Sequence, residues 1–118
     1  MSLKTGFAAE ERARAYLQQQ GLQWLESNYR CRLGEIDLIM RDGNYLVFVE
    51  VRARVSSAYG GAVASVTRSK QQKLIKTALS YLLVKNLQDS QPMRFDVLGF
   101  DGSGSQLNWV KNAFGLDF

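Results

Sequence analysis

Two carboxylates and a guanidinium stand where strand-forming residues would otherwise run unbroken. Asp37 lies in Gly34-Glu35-Ile36-Asp37-Leu38-Ile39-Met40, and Glu50 and Arg52 lie in Leu46-Val47-Phe48-Val49-Glu50-Val51-Arg52. An ionised group among strand hydrophobes is costly unless a cation or a metal accompanies it. Two carboxylates on one face can hold Mg²⁺, which polarises a phosphoryl oxygen and lowers the pKa of a bound water. A cation two residues beyond Glu50 projects to the same side and can neutralise charge growing on phosphorus oxygens. The same three side chains can instead form a buried structural ion network, Asp37–Arg52–Glu50, with no chemistry attached.

Turn formers (Asp42-Gly43-Asn44) separate the two apolar runs, so they read as a β-hairpin. A Gly43-Asn44 loop sets Asp37 directly opposite Glu50, and an Asp42-Gly43 loop makes them diagonal neighbours. Both place the carboxylates on one face, whereas a three-residue loop would separate them unless a bulge restored the parity. Directly opposed like charges repel, so something positive is expected between them. Ile36, Leu38 and Met40 are expected to share the other, apolar face with Val47, Val49 and Val51.

The chain has 118 residues, of which 46% are hydrophobic and 22% charged, the profile of one globular domain with a core. It contains no histidine. That removes Ser-His-Asp and Cys-His catalysis, imidazole-held zinc and any histidine base. The single Cys31 removes an internal disulfide and a thiolate zinc site. Any metal is then a hard cation held by oxygen, Mg²⁺ or Mn²⁺. The net charge of +4 is compatible with a polyanionic partner. With no signal peptide and no long apolar run, the expected setting is the cytoplasm, away from membranes.

The elements that must position these groups follow in order. Residues 5–20 read as a helix stopped by Gly21, with Ala9, Ala13, Tyr16 and Leu17 inward. Glu11 falls on the solvated side. Glu10 sits at the border of the buried stripe, free either to look across at the hairpin or to pair with Arg14 one turn on. Residues 22–30 read as a strand ending in the basic Arg30-Cys31-Arg32 connection, and residues 54–65 as a surface loop beginning at Arg54. Residues 67–86 form the clearest helix, with Thr67 as N-cap and Leu74, Ile75, Ala78, Leu79, Leu82 and Leu83 as its apolar stripe. Arg68, Lys70, Lys73 and Lys76 crowd its first half, where cations oppose the helix dipole, so they serve either phosphate contact or a solvated face. Strands at residues 94–100, with Arg94 and Asp96 on one face, and at 106–110 complete an α-β-β-β-α-β-β order. This is an α/β mixed sheet of about five strands flanked by helices.

The GEIDLI and FVEVR segments resemble the PD-(D/E)XK nuclease superfamily and, more closely, the small bacterial YraN-like family related to Holliday-junction resolvases. Four further stretches share the resemblance: Gly6 to Leu17 around Glu10, Tyr59-Gly60-Gly61, Ser65 to Lys70, and Arg94-Phe95-Asp96-Val97. The resemblance implies a restriction-endonuclease-like core, with Glu10, Asp37 and Glu50 as acidic metal-site residues and Arg52 at the lysine position. It implies Mg²⁺ or Mn²⁺ and a DNA substrate, including branched DNA. A homodimer would serve symmetric cutting of two strands. Arg30, Arg32, Arg54, Arg68, Lys70 and Lys73 are the expected phosphate contacts. The sequence departs from the superfamily pattern at Arg52, because a guanidinium cannot give up its proton and so cannot act as a general base. A nucleic-acid-binding protein that keeps the fold but cuts nothing is the alternative.

Overall fold

The hairpin loop sets the register of the two central strands that carry Asp37 and Glu50. In a computed structural model of the chain, Asp42 pairs with Tyr45 across a Gly43-Asn44 turn, with Gly43 at φ +62°. Residues 3–53, 61–87, 90–102 and 106–115 are described, with side chains from residue 8 onward. The elements are α1 (Leu3–Gln19), β1 (Gln23–Cys31), β2 (Gly34–Asp42), β3 (Tyr45–Ala53), α2 (Gly61–Ala64), α3 (Arg68–Val84), β4 (Met93–Asp101) and β5 (Gln106–Phe114). Gly21 stops α1 in the left-handed region, at φ +99°.

The five strands pair in sequence order, antiparallel except for β3 with β4. A parallel pair needs a crossover, and the segment carrying α2 and α3 supplies it. Helices therefore cover both faces of the central strands, and β3 is buried without interruption from Leu46 to Val51. On one face Ala9, Ala13 and Leu17 of α1 pack on Leu38, Met40, Val47, Val49, Val51, Leu98 and Phe100. On the other, Leu74, Ile75, Ala78, Tyr81 and Leu82 of α3 pack on Ile36, Ile39, Leu46, Phe48, Phe95 and Val97. This mixed sheet between helices is compatible with a nuclease-like core. Among the described residues no helix is long and apolar enough to cross a membrane.

Four local expectations change. Ile36 does not share a face with Leu38 and Met40 but packs with Ile39 under α3. The regular β2–β3 pairing ends at Leu38 and Val49, and the Asp37 carboxylate takes the next β3 donor, the Val51 amide, at 2.9 Å. With that side chain turned along the sheet, strict alternation is lost at Asp37. On α3, Leu79 and Leu83 are exposed while Thr77 and Tyr81 are buried. Leu79 and Leu83 lie about 100° and 140° around the helix from fully buried Ala78. Tyr81 instead wedges edge-on against Tyr29 and Phe48, with centroids at 5.1 and 5.8 Å. Within the expected 54–65 loop, residues 61–64 form α2 and Ala62 is fully buried. The last strand runs on to Phe114, which stacks on Phe95.

A second buried charge cluster fastens β5 to β4. The fully buried Asp96 carboxylate accepts hydrogen bonds from Arg94 Nε, Trp109 Nε1 and the Asn112 amide, each at 3.0 Å. Arg94 Nη1 also meets Asp42 at 2.9 Å, joining the cluster to the hairpin end. The β4–β5 register shifts between Phe95 and Val97, and Asn112 adopts φ +52° there. Asp96 thus caps a bulge whose backbone amide would otherwise lack a strand partner.

Candidate acidic site and its basic surround

The site begins where the β2–β3 ladder ends. Asp37 is held by the Val51 amide through Oδ2, on a strand anchored by a buried hairpin. It stands between two other carboxyls, within hydrogen-bond reach of Glu10 on α1 and of Glu50 on β3. Arg14 turns away to lie over the Trp24 ring at 4.4 Å and near Glu11 at 4.0 Å, so Glu10 looks across at the hairpin. Glu11 is exposed, as its helix position requires.

The crowding shows in proton affinities. Burial first, then the Asp37 charge and hydrogen bond, push the Glu50 carboxyl up to about 8, although Lys70 and Arg52 pull it down. Burial and Asp37 likewise raise Glu10 to about 7, with Asn28 opposing. Two acids that resist ionisation beside a third are poised to share a proton or a cation.

The three carboxyls form a row with Asp37 in the middle. Among the described residues no three acidic, cysteine or histidine side chains stand as a ready metal cage. The all-oxygen donor set suits a hard divalent ion bound by Asp37 together with one outer carboxyl. Asp37 and Glu50 come together just beyond the last regular β2–β3 pair, Leu38 with Val49, through the Asp37 bond to the Val51 amide rather than as a paired couple of the ladder.

Positive charge reaches the row from two elements. Arg52 Nη1 and Lys70 Nζ each lie 3.7 Å from the same oxygen of Glu50. Arg52 shares the Glu50 face by strand alternation, and its Nε donates to Ser65 Oγ at 2.9 Å. Lys70 arrives from the first turn of α3, where the Thr67 hydroxyl accepts the Lys70 backbone amide at 3.3 Å. Lys70 therefore belongs to the acidic site as well as to the basic surround. Its traces in the sequence are a cation at a helix start, where the dipole disfavours it, and its place at the end of the Ser65 to Lys70 stretch that shares the family resemblance. Ser65 opens the same stretch but carries no charge or periodicity that would place it beside Arg52, which it reaches through the seating of α2.

The basic surround is more dispersed. Arg30, Arg32, Arg68, Lys73 and Lys76 are exposed. The turn carrying Arg32 packs on α3, since a Cβ at Gly34 would lie 2.8 Å from Thr77 Oγ1 and 4.0 Å from the Lys73 carbonyl. Arg32 and Lys73 thus sit on neighbouring elements. Arg30 is paired with Glu35 at 3.1 Å, both side chains well exposed, a contact of little energetic weight. Arg54 lies outside the described residues.

The family model for "Uncharacterised protein family UPF0102" matches residues 9–100, a span that holds the whole acidic row, Arg52, Ser65 and Lys70. The chain is 50% identical to a UPF0102 protein of Legionella pneumophila over 97% of both chains. It is 51% identical to a UPF0102 protein of Alkalilimnicola ehrlichii, over 95% of this chain and 87% of the relative. A UPF0102 protein of Nitrosomonas europaea is also 51% identical, over 92% of each chain. With such a match across most of its length, this chain belongs to the UPF0102 family, the YraN-like group.

Proposed function

We propose that the protein is a metal-dependent endonuclease acting on structured or branched DNA. The observation that carries this reading is the row of Glu10, Asp37 and Glu50, bracketed at Glu50 by Arg52 and Lys70 and bordered by exposed cations. A divalent cation held by Asp37 and a neighbouring carboxyl would supply a polarised phosphoryl oxygen and an acidified water. The chain's own part is binding and orientation. Lys73, Arg32 and Arg68 would draw in the phosphate backbone, and Arg52 and Lys70 would meet charge developing beside Glu50. Glu10, with its raised proton affinity, can hold or accept a proton at neutral pH. A homodimer would present two such sites to the two strands of a junction.

A second reading has its own support. Arg52 cannot lose its proton, and Glu50 and Ser65 both hold it in place. A protein built this way could bind nucleic acid and leave it intact. Incubation with linear, flapped and four-way DNA in Mg²⁺, Mn²⁺ or EDTA separates the two. Metal-dependent cutting abolished by Asp37→Asn supports the nuclease. Binding without cutting in any metal leaves the second reading, and absence of binding refutes both.

A further inference from the structure

The site rests on a partly buried relay outside the acidic row. The first link is at the end of β4, where Asp101 Oδ1 accepts the Ala62 backbone amide at 2.7 Å. A Cβ on Gly61, which sits at φ +81°, would come within 3.0 Å of that same oxygen. The second link is steric, since a Cβ on Gly99 would lie 2.8 Å from the Ala62 Cβ. Together they seat α2 directly on β4 with no room to slide. The third link is Ser65, whose hydroxyl donates to the Ala62 carbonyl. A hydroxyl has one proton to give. With that proton committed to Ala62, the Ser65 oxygen can only accept towards Arg52, and it takes the Nε–H at 2.9 Å.

A guanidinium is planar, so fixing Nε at one edge fixes the direction of every other N–H. One Nη then points at Glu50, 3.7 Å away. Without the serine, Arg52 keeps its charge but can rotate about its side-chain bonds, and its strong preference for a fixed oxyanion geometry is lost. Strand alternation explains why Arg52 is on the Glu50 face; it does not explain the orientation of the guanidinium.

We propose that Ser65 is a positioning residue. It fixes the plane of the Arg52 guanidinium so that Arg52 meets a nucleic-acid phosphate beside Glu50, an inference that rests on the nucleic-acid reading above. Ser65 touches no substrate itself and acts only through Arg52.

The test is a double-mutant cycle on DNA affinity, measured with the full chain in EDTA near 50 mM salt so that turnover plays no part. Arg52→Ala is expected to weaken binding about tenfold. Ser65→Ala should weaken it several-fold with the charge unchanged, Ser65→Thr should restore it, and the double variant should bind like Arg52→Ala alone. Melting curves of each variant show whether a loss follows unfolding, which the threonine variant avoids by keeping the hydroxyl. Losses that multiply in the double variant, or wild-type affinity in Ser65→Ala, overturn the proposal. Wild-type affinity in Arg52→Ala overturns it too, while leaving nucleic-acid binding through the lysines intact. Failure of the wild-type protein to bind any DNA refutes the nucleic-acid reading itself.

Discussion

Replacing Glu50 by glutamine should stabilise the metal-free protein at alkaline pH and leave it unchanged in acid. The Glu50 side chain is only 9% exposed, and its folded pKa of about 8 exceeds the ordinary carboxyl value of 4.5. A raised folded pKa means that stability is fully present below the unfolded value and is lost as pH rises through the folded one. At about 1.4 kcal/mol per pH unit, the wild type should lose on the order of 4 kcal/mol from this group between about pH 5 and pH 9. Coupling to Asp37 and Glu10 makes that an upper figure, because Glu10 titrates against the same neighbour. For a chain of this size the corresponding drop in Tm is roughly 10–20 °C. Glu50→Gln keeps the shape, removes the charge and should flatten the profile, so the two curves converge near pH 5 and part above pH 7. Thermal melts in EDTA at three pH values measure this directly. Added Mg²⁺ should restore the wild type at high pH by mass action and leave the variant unmoved. Parallel profiles would refute the burial argument. A variant less stable than wild type at pH 9 would show that Arg52 and Lys70 make the ionised Glu50 a net structural anchor.

Three further outcomes are expected. Charge reversal at Lys70 and Lys73 should lower the slope of log affinity against log salt by about 1 per lost phosphate contact, read from affinities across a salt series. Arg52→Ala should cost about 10²–10³ in cleavage rate while Mg²⁺ still raises Tm; a loss of a few kcal/mol that Mg²⁺ does not recover would mark Arg52 as a structural partner of Glu50. Asp96→Ala should destabilise the fold by about 3–5 kcal/mol in urea melts, because it leaves Arg94 with Asp42 as its one carboxylate partner among the described residues and unsatisfies the Trp109 and Asn112 donors.

Local rules made much of this protein legible from its residues. Periodicity and turn chemistry suffice for the order of elements, since Gly43-Asn44, Gly21 and the Thr67 cap act over a few residues. Strand alternation suffices to bring Glu50 and Arg52 to one face, and the hairpin register to pair β2 with β3 as far as Leu38 and Val49, one residue short of Asp37 and Glu50. Those facts depend only on a period of two and a loop length. Long-range packing decided the rest. Ile36 changed faces because Asp37 spends its side chain on a β3 amide, a hydrogen bond spanning 14 residues that no local pattern encodes. Leu79 and Leu83 yielded the core to Thr77 and Tyr81 because the sheet under α3 offers Tyr29 and Phe48 as partners. Lys70 and Ser65 came to the acidic site from separate elements, Lys70 with α3 docked against the sheet and Ser65 with α2 seated on β4. Sequence spacing fixes what a residue can reach along its own element, and only the docking of whole elements fixes what it meets across the core.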